Sequence, residues 1–159
     1  MEHLNKTNAM RILSAAGVSY ESLTYAVDET DLSGHHIARQ IGFPEEQVFK
    51  TLVLHGDKTG YFVCCIPSAC ELDLKKAAAV SGNKRAEMVA VKDLLGLTGY
   101  VRGGCSPVGM KKPYPVYLEE SAQLFDEITI SAGVRGCVLK LSPAALIGFL
   151  QPAVCDLTA

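Results

Sequence analysis

The period of apolar positions changes several times along the chain, and each change marks an element. Ala9, Met10, Ile12, Leu13 and Ala16 recur at helical spacing and Gly17 follows them, which predicts a helix over 5–16 closed by glycine. Residues 19–27 read as extended, around Tyr20, Leu23 and Tyr25. Ser33 is placed to cap a second helix through Ile37, Ala38 and Ile41, ended by Gly42. Pro44, Glu45 and Glu46 suit a short helical turn. Residues 48–55 and 61–66 are apolar runs around a GDKT turn and Gly60, the pattern of a β-hairpin. Asp73 can cap a helix over 74–80, stopped by Gly82; 87–89 suits a strand and 91–95 a short helix. A glycine- and proline-rich passage, TGYVRGGCSPVGMKKPYP, comes next. Strands are predicted over 115–118, 128–131 and 137–141, with a helical turn over 122–125. The Ser142-Pro143 pair begins a final helix.

Short strands interrupted by short helices predict an α+β protein with a mixed, strongly curved sheet. No repeat or low-complexity linker breaks the 159 residues, so 1–159 reads as one domain. With 48% hydrophobic and 20% charged residues, disorder is excluded. The apolar runs are too short to span a bilayer, and MEHLNKTNAMRI lacks the apolar core of a secretory signal. No membrane association and a cytoplasmic location are therefore expected. A net charge of −2 argues against a dedicated duplex-binding protein, so no DNA partner is expected. The absence of Trp argues against an extended single-strand stacking platform. None of the six cysteines forms a CxxC pair. They read as buried or half-buried thiols in a reducing compartment, without a zinc site or disulfide.

Two segments carry candidate chemistry. Lys50 sits in VFKTLVL, where strand alternation puts it on the face of Val48, Leu52 and Leu54. A lysine on an apolar face either guards a sheet edge or reaches a pocket as the cation for an anionic or carbonyl oxygen. The second segment is GGCSPVG. Gly103 and Gly104 let a backbone approach a ligand closely with N–H groups as donors, and Pro107 fixes the turn. The loop lacks the Gly-Lys-Ser/Thr ending of a phosphate loop, and a plain connection is its alternative reading. Cys105 has no histidine near it in sequence to act as a base; His35 and His36 could approach it only through the fold. Lys75–Lys76, Lys84–Arg85 and Lys111–Lys112 are either solvated or parts of a discontinuous phosphate patch.

Taken together, KTNAMRIL at 6–13, QVFKTLVL at 47–54, ELDLKKAA at 71–78, TGYVRGGCSPVGMKK at 98–112 and SAGVRG at 131–136 resemble the YbaK-type aminoacyl-tRNA deacylases. That family is related to the editing insertion of bacterial prolyl-tRNA synthetases. The resemblance spans about Lys6 to Asp156. It implies a barrel-like β structure surrounded by helices and hydrolysis of the ester that joins a wrong amino acid to the 3′ end of tRNA, Cys-tRNA(Pro) first. It places the pocket lysine on Lys50, and it puts the catalytic roles on Lys50, Gly103 and Gly104. Substrate binding falls on Tyr25, Thr51, Ser106, Pro107 and Gly109. No metal or organic cofactor is implied. The implied partners are aminoacyl-tRNA, through its 3′ end, and prolyl-tRNA synthetase.

One position departs from the family pattern. Several members carry a polar residue, often Asp, where this chain has Val138. Val138 is expected on the strand face opposite Cys137 and Leu139, leaving the pocket without that acid. No Ser-His-Asp or Cys-His set is evident, so the reaction is expected to rest on positioning and electrostatics. In the Cys-specific members the substrate's own thiol is thought to attack its carbonyl. The alternatives are an Ala-tRNA(Pro) deacylase using water and a non-catalytic module binding aminoacylated or nucleotide ends.

Overall fold

The computed structural model describes residues 6–159. Helix α1 runs Asn8–Ala15, because the Thr7 hydroxyl accepts from the Met10 amide and starts it there. Residue 5, included in the expected helix, lies outside the described residues. Strand β1 (Glu21–Thr24) follows. Ser33 then caps α2 (Gly34–Ile41), which ends at Gly42 in the left-handed region. A 3-10 turn at Glu45–Gln47 leads into the hairpin of β2 (Phe49–Gly56) and β3 (Gly60–Pro67). The Asp73 carboxylate caps α3 (Leu74–Val80) by accepting from Lys75 and Lys76 amides. Then come β4 (Ala86–Met88), α4 (Val91–Thr98), β5 (Val116–Glu119), a 3-10 turn at Glu120–Leu124, β6 (Ile128–Ser131) and β7 (Cys137–Leu141). Helix α5 (Pro143–Leu150) and β8 (Ala153–Cys155) complete the chain.

The strands form two sheets, β1-β7-β6 and β4-β2-β3-β5-β8. The first is antiparallel. The second is mixed, because β5 runs parallel to both β3 and β8. The mixed α+β architecture is as expected, but the sheets do not close into a barrel. They meet at a single parallel bridge, Val48 to Thr129. Two other differences have local causes. Helix α4 extends past residue 95 to Thr98, whose hydroxyl returns to the Leu94 carbonyl at 2.8 Å. Strand β8 carries no period of its own and exists because β5 offers a parallel edge. The buried Glu119 carboxylate then holds the chain just beyond β8 by accepting the Leu157 amide.

β2 is packed on both faces. Phe49 and Val53 join a core with α1, β6, β7 and α5, whereas Leu54 joins Phe62, Cys64 and Ile66 beneath Ala77 of α3. Its hairpin turn is locked by Asn83, which is 8% exposed. The Asn83 carbonyl oxygen accepts from Lys58 and Thr59 amides, each at 2.8 Å. Its amide nitrogen donates to the Thr59 and Ser81 hydroxyls. Removing a buried side chain that satisfies several groups leaves them unpaired. Asn83→Ala should therefore lose about 2–3 kcal/mol in urea unfolding. A loss under ~0.5 kcal/mol, typical of a surface change, would show that this turn does not depend on Asn83.

Candidate active site

A cleft lies where the two sheets meet and has a volume of about 580 Å³. One wall is six consecutive residues, Val48 and the first five of β2, Phe49 to Val53. The segment before α2, including Asp31 and Ser33, supplies a second wall. The junction of β4 and α4, with Met88, Val91 and Leu94, supplies a third. The remaining wall is built from Tyr25, Ser131, Val138 and the loop Arg102–Gly103–Cys105.

Sequence-distant candidates thus converge: Tyr25, Lys50, Thr51 and Gly103 line one cavity. Tyr25 is fixed at the end of β1 by its amide, which donates to the Gly136 carbonyl at 2.9 Å. Lys50 is half-buried and, among the described residues, takes part in no salt bridge. Thr51 is on the other face of β2, with its hydroxyl 3.8 Å from the Cys65 sulfur.

The glycine loop divides its work differently from the expected pair of donors. The Gly104 amide donates to the Val101 carbonyl at 3.0 Å and is used within the turn. Gly103, with φ +86 at the third turn position, makes this a type II turn, which disfavours any side chain there. Gly104 has a separate reason to be glycine. A Cβ there would meet the backbone of Val134 and Arg135 at 3.0–3.1 Å. Arg135 Nε also donates to the Arg102 carbonyl at 2.7 Å, tying the loop to the SAGVRG turn. Among the described residues, Gly103 and Cys105 amides have no hydrogen-bond partner, and both residues line the cleft. Ser106 does not reach it: its buried hydroxyl accepts the Val108 amide at 3.2 Å. Pro107 and Gly109 line a different hollow, against Phe149 and Leu150 of α5.

Electrostatically the cleft is divided. Asp31 is held below the ordinary carboxylate value by hydrogen bonds from Ser33 and is ionised at neutral pH. His35 Nδ1 lies 3.1 Å from Glu45 at the rim. The inner wall is neutral. Val138 is 4% exposed and opens onto the cleft, while Cys137 and Leu139 turn into the core, as expected from strand alternation. Its partners across the strands are Leu23 and Ser131, so no acid comes from the register neighbours. Burial pushes the Cys105 thiol up to about 11, against a smaller lowering by Thr98. Burial likewise pushes Cys65 up to about 12. These are neutral thiols at physiological pH, which argues against a cysteine nucleophile. The basic clusters do not converge on the cleft. Lys75, Lys84 and Arg85 surround a separate hollow, and Lys112 borders the hollow against α5.

A family model described as aminoacyl-tRNA editing domain matches residues 34–149, from the start of α2 into α5. The chain belongs to this family. EbsC of Enterococcus faecalis, named as a candidate Cys-tRNA(Pro)/Cys-tRNA(Cys) deacylase, is 46% identical over 153 residues, covering 96% of this chain and 93% of its own. YwhH of Bacillus subtilis, of no stated function, is 28% identical over 112 residues, 70% of this chain and 71% of its own. Among solved structures, a candidate trans-editing enzyme for prolyl-tRNA synthetase superposes with a TM-score of 0.83. That match has 24% identity and covers 96% of this chain and 98% of the other, so it carries the fold.

Within this editing domain, sequence reasoning missed Asp31, Arg102, Ser131 and the Met88–Leu94 lip as cleft residues. Arg102 lies in the glycine-rich passage, but nothing in its spacing singles it out from its neighbours. Ser131 opens the SAGVRG motif but gives no sign of facing a cleft, and Asp31 and the Met88–Leu94 lip carry no motif; all reach the cleft through strand register and chain reversal. The thiol environment yields a pH expectation. Because Cys105 stays protonated below about pH 11, its thiolate fraction and hence its alkylation rate should rise about tenfold per pH unit up to that value. Peptide mass spectrometry after iodoacetamide treatment checks this; rapid alkylation of Cys105 in the folded protein at neutral pH would contradict it.

Proposed function

We propose that the chain is an aminoacyl-tRNA deacylase that acts in trans on mischarged tRNA, with Cys-tRNA(Pro) as its main substrate. The observation that carries this reading is the 46% identity along 96% of the chain to a relative named for that activity. The cleft supports it by bringing Tyr25, Lys50, Thr51 and Gly103 together around a space whose lining thiol, Cys105, is kept neutral by burial.

In this reading Lys50 supplies the cation for an oxygen of the terminal nucleotide or of the ester. Amides of the Gly103 loop receive negative charge that develops on the carbonyl. Tyr25 and Thr51 line the substrate space, while Ser106, Pro107, Gly104 and Gly109 shape the loop. With Cys105 protonated, the attack falls to the substrate's own thiol, as the resemblance to the Cys-specific deacylases implies. Its sulfur attacks the carbonyl carbon and the C–S bond forms. The ester C–O bond to the ribose breaks, the proton ends on the ribose oxygen, and a thiolactone leaves. The sulfur is partly ionised at neutral pH, and Lys50 nearby raises that fraction.

The neutral Val138 wall leaves selection to size, worth ~1–3 kcal/mol per methylene. Further discrimination then comes from tRNA context or from a partner, for which prolyl-tRNA synthetase is the candidate. A cytoplasmic location suits such a role. The same Val138 favours a second reading, in which a small neutral pocket admits the Ala ester and water attacks. A non-catalytic module is the third.

Time courses with Cys-tRNA(Pro) and Ala-tRNA(Pro), with and without synthetase, separate these readings. Loss of the Cys ester alone is expected. Loss of the Ala ester selects the water route, and loss of neither selects the binding module. Lys50→Ala should lower the deacylation rate by about 100-fold, the scale of removing one electrostatic donor, with urea unfolding unchanged. A wild-type rate in that variant would remove Lys50 from the mechanism. Cys105→Ala should stay within about twofold of wild type, since a neutral buried thiol supplies no attack.

A further inference from the structure

The cleft follows the edge of β2 rather than one of its faces. Alternate residues of a strand point to opposite faces, yet all of Val48 to Val53 line the cavity. On its other side β2 is paired with β3 along its full length, from Phe49–Pro67 to Gly56–Gly60. On the cleft side it is held only at its ends. Val48 bridges Thr129, and the β4 ladder begins at Leu54–Met88.

The direction of the main-chain groups follows from the hydrogen bonds at those ends. The Val89 amide donates to the Val53 carbonyl and the Asp57 amide to the Arg85 carbonyl, each at 3.1 Å. Odd-numbered residues of β2 therefore direct their main chain away from β3. The even position agrees, since the Val48 carbonyl accepts from Ser68 at the far end of β3. The Thr51 carbonyl and the Val53 amide accordingly face the cleft, beyond the reach of the β4 ladder, and neither Val89 nor Gly133 bonds to them through its main chain. Buried main-chain groups without partners are costly and call for a ligand or water.

A carbonyl at residue i and an amide at i+2 on one strand edge form an acceptor–donor pair. Thr51 and Val53 make such a pair. Its complement is a ligand edge carrying a donor beside an acceptor. An ammonium group, being only a donor, matches half of it. Adenine matches both halves through its amino group and N1; cytosine shares the pattern, and guanine and uracil reverse it. Beside this edge stands an apolar lip, with Met88 45% and Val91 61% exposed. Both residues also line the cleft. Exposed apolar side chains beside an open polar edge suit a flat base with a hydrogen-bonding rim.

We propose that the open edge of β2, through the Thr51 carbonyl and the Val53 amide, binds the adenine of the terminal tRNA nucleotide against the Met88–Val91 lip. This rests on the deacylase reading for the choice of base. The reacting ester is on the ribose of the terminal nucleotide, so that base must share the cleft with Lys50.

The test uses the isotopically labelled full chain with AMP and with IMP, in which the adenine amino group is replaced by a carbonyl and N1 becomes a donor. AMP at millimolar concentration should shift the Thr51 and Val53 amide resonances. IMP should bind at least about fivefold more weakly, the low end of what one paired base edge supplies. Deacylation of tRNA ending in inosine should lose efficiency by the same factor. Equal binding of AMP and IMP, or silent Thr51 and Val53 amides under AMP, would overturn the proposal. The two readings fail separately. Equal deacylation of adenosine- and inosine-ended substrates sinks the base subsite and leaves the deacylase. Selective AMP binding without any deacylation does the reverse.

Discussion

β2 is hydrogen-bonded along its whole length on one side and only at its two ends on the other. That asymmetry underlies the rest of the cleft. The β3 ladder and the two apolar layers against its faces make β2 rigid, so Lys50 and Thr51 have fixed directions. The bridge to Thr129 carries the three-stranded sheet up to the same edge and brings Ser131 and Val138 with it. A closed barrel would have filled the gap with another strand. Two sheets meeting at one rung leave a slot with main-chain groups at its side and polar side chains around it.

The slot combines a lysine that, among the described residues, has no salt-bridge partner with an inner wall free of acids around Val138, while Asp31, Glu45 and Arg102 stand on its other sides. Cys65 and Cys105 are kept protonated by burial, and Val138 puts a branched apolar side chain on the inner wall of the cleft. In such surroundings a cation acts on an oxygen with less screening than in water, and Lys50 is in no salt bridge with the cleft carboxylates Asp31 and Glu45. The chemistry this favours is positioning of a substrate that already carries a reactive ester. The loop from Arg102 to Cys105 fits the same logic. Its geometry is set by a type II turn and by close packing on the Val134–Arg135 backbone, so its free amides are presented by a rigid frame.

The element pattern was largely legible in the sequence because its causes are local. Ser33, Asp73 and Ser142 each cap the helix expected of them, through hydroxyl or carboxylate bonds to amides two or three residues on. The 128–131 and 137–141 strands end where their apolar alternation ends. β8 escaped because its three residues carry no period and need β5 to be a strand. That Lys50 could reach a pocket was legible too, since a lysine within an apolar run has few roles, and it does line the cleft. The separate duties of Gly103 and Gly104 were not visible, because two adjacent glycines look alike until one is found hydrogen-bonded and the other is not.

By itself the sequence determined where helices and strands begin, which strand face Lys50 and Val138 occupy, and membership of an editing family. All of these depend on short-range periodicity, capping chemistry or motif order. Only the tertiary structure decided that Tyr25, Lys50, Gly103 and Val138 share one cavity, that Ser106 and Gly109 stand outside it, and that β2 keeps an open edge there. Those facts arise from pairing between residues far apart in the chain, such as Val48 with Thr129 and Leu23 with Val138. Such pairings are selected by the packing of whole sheets, and local sequence carries no direct record of them.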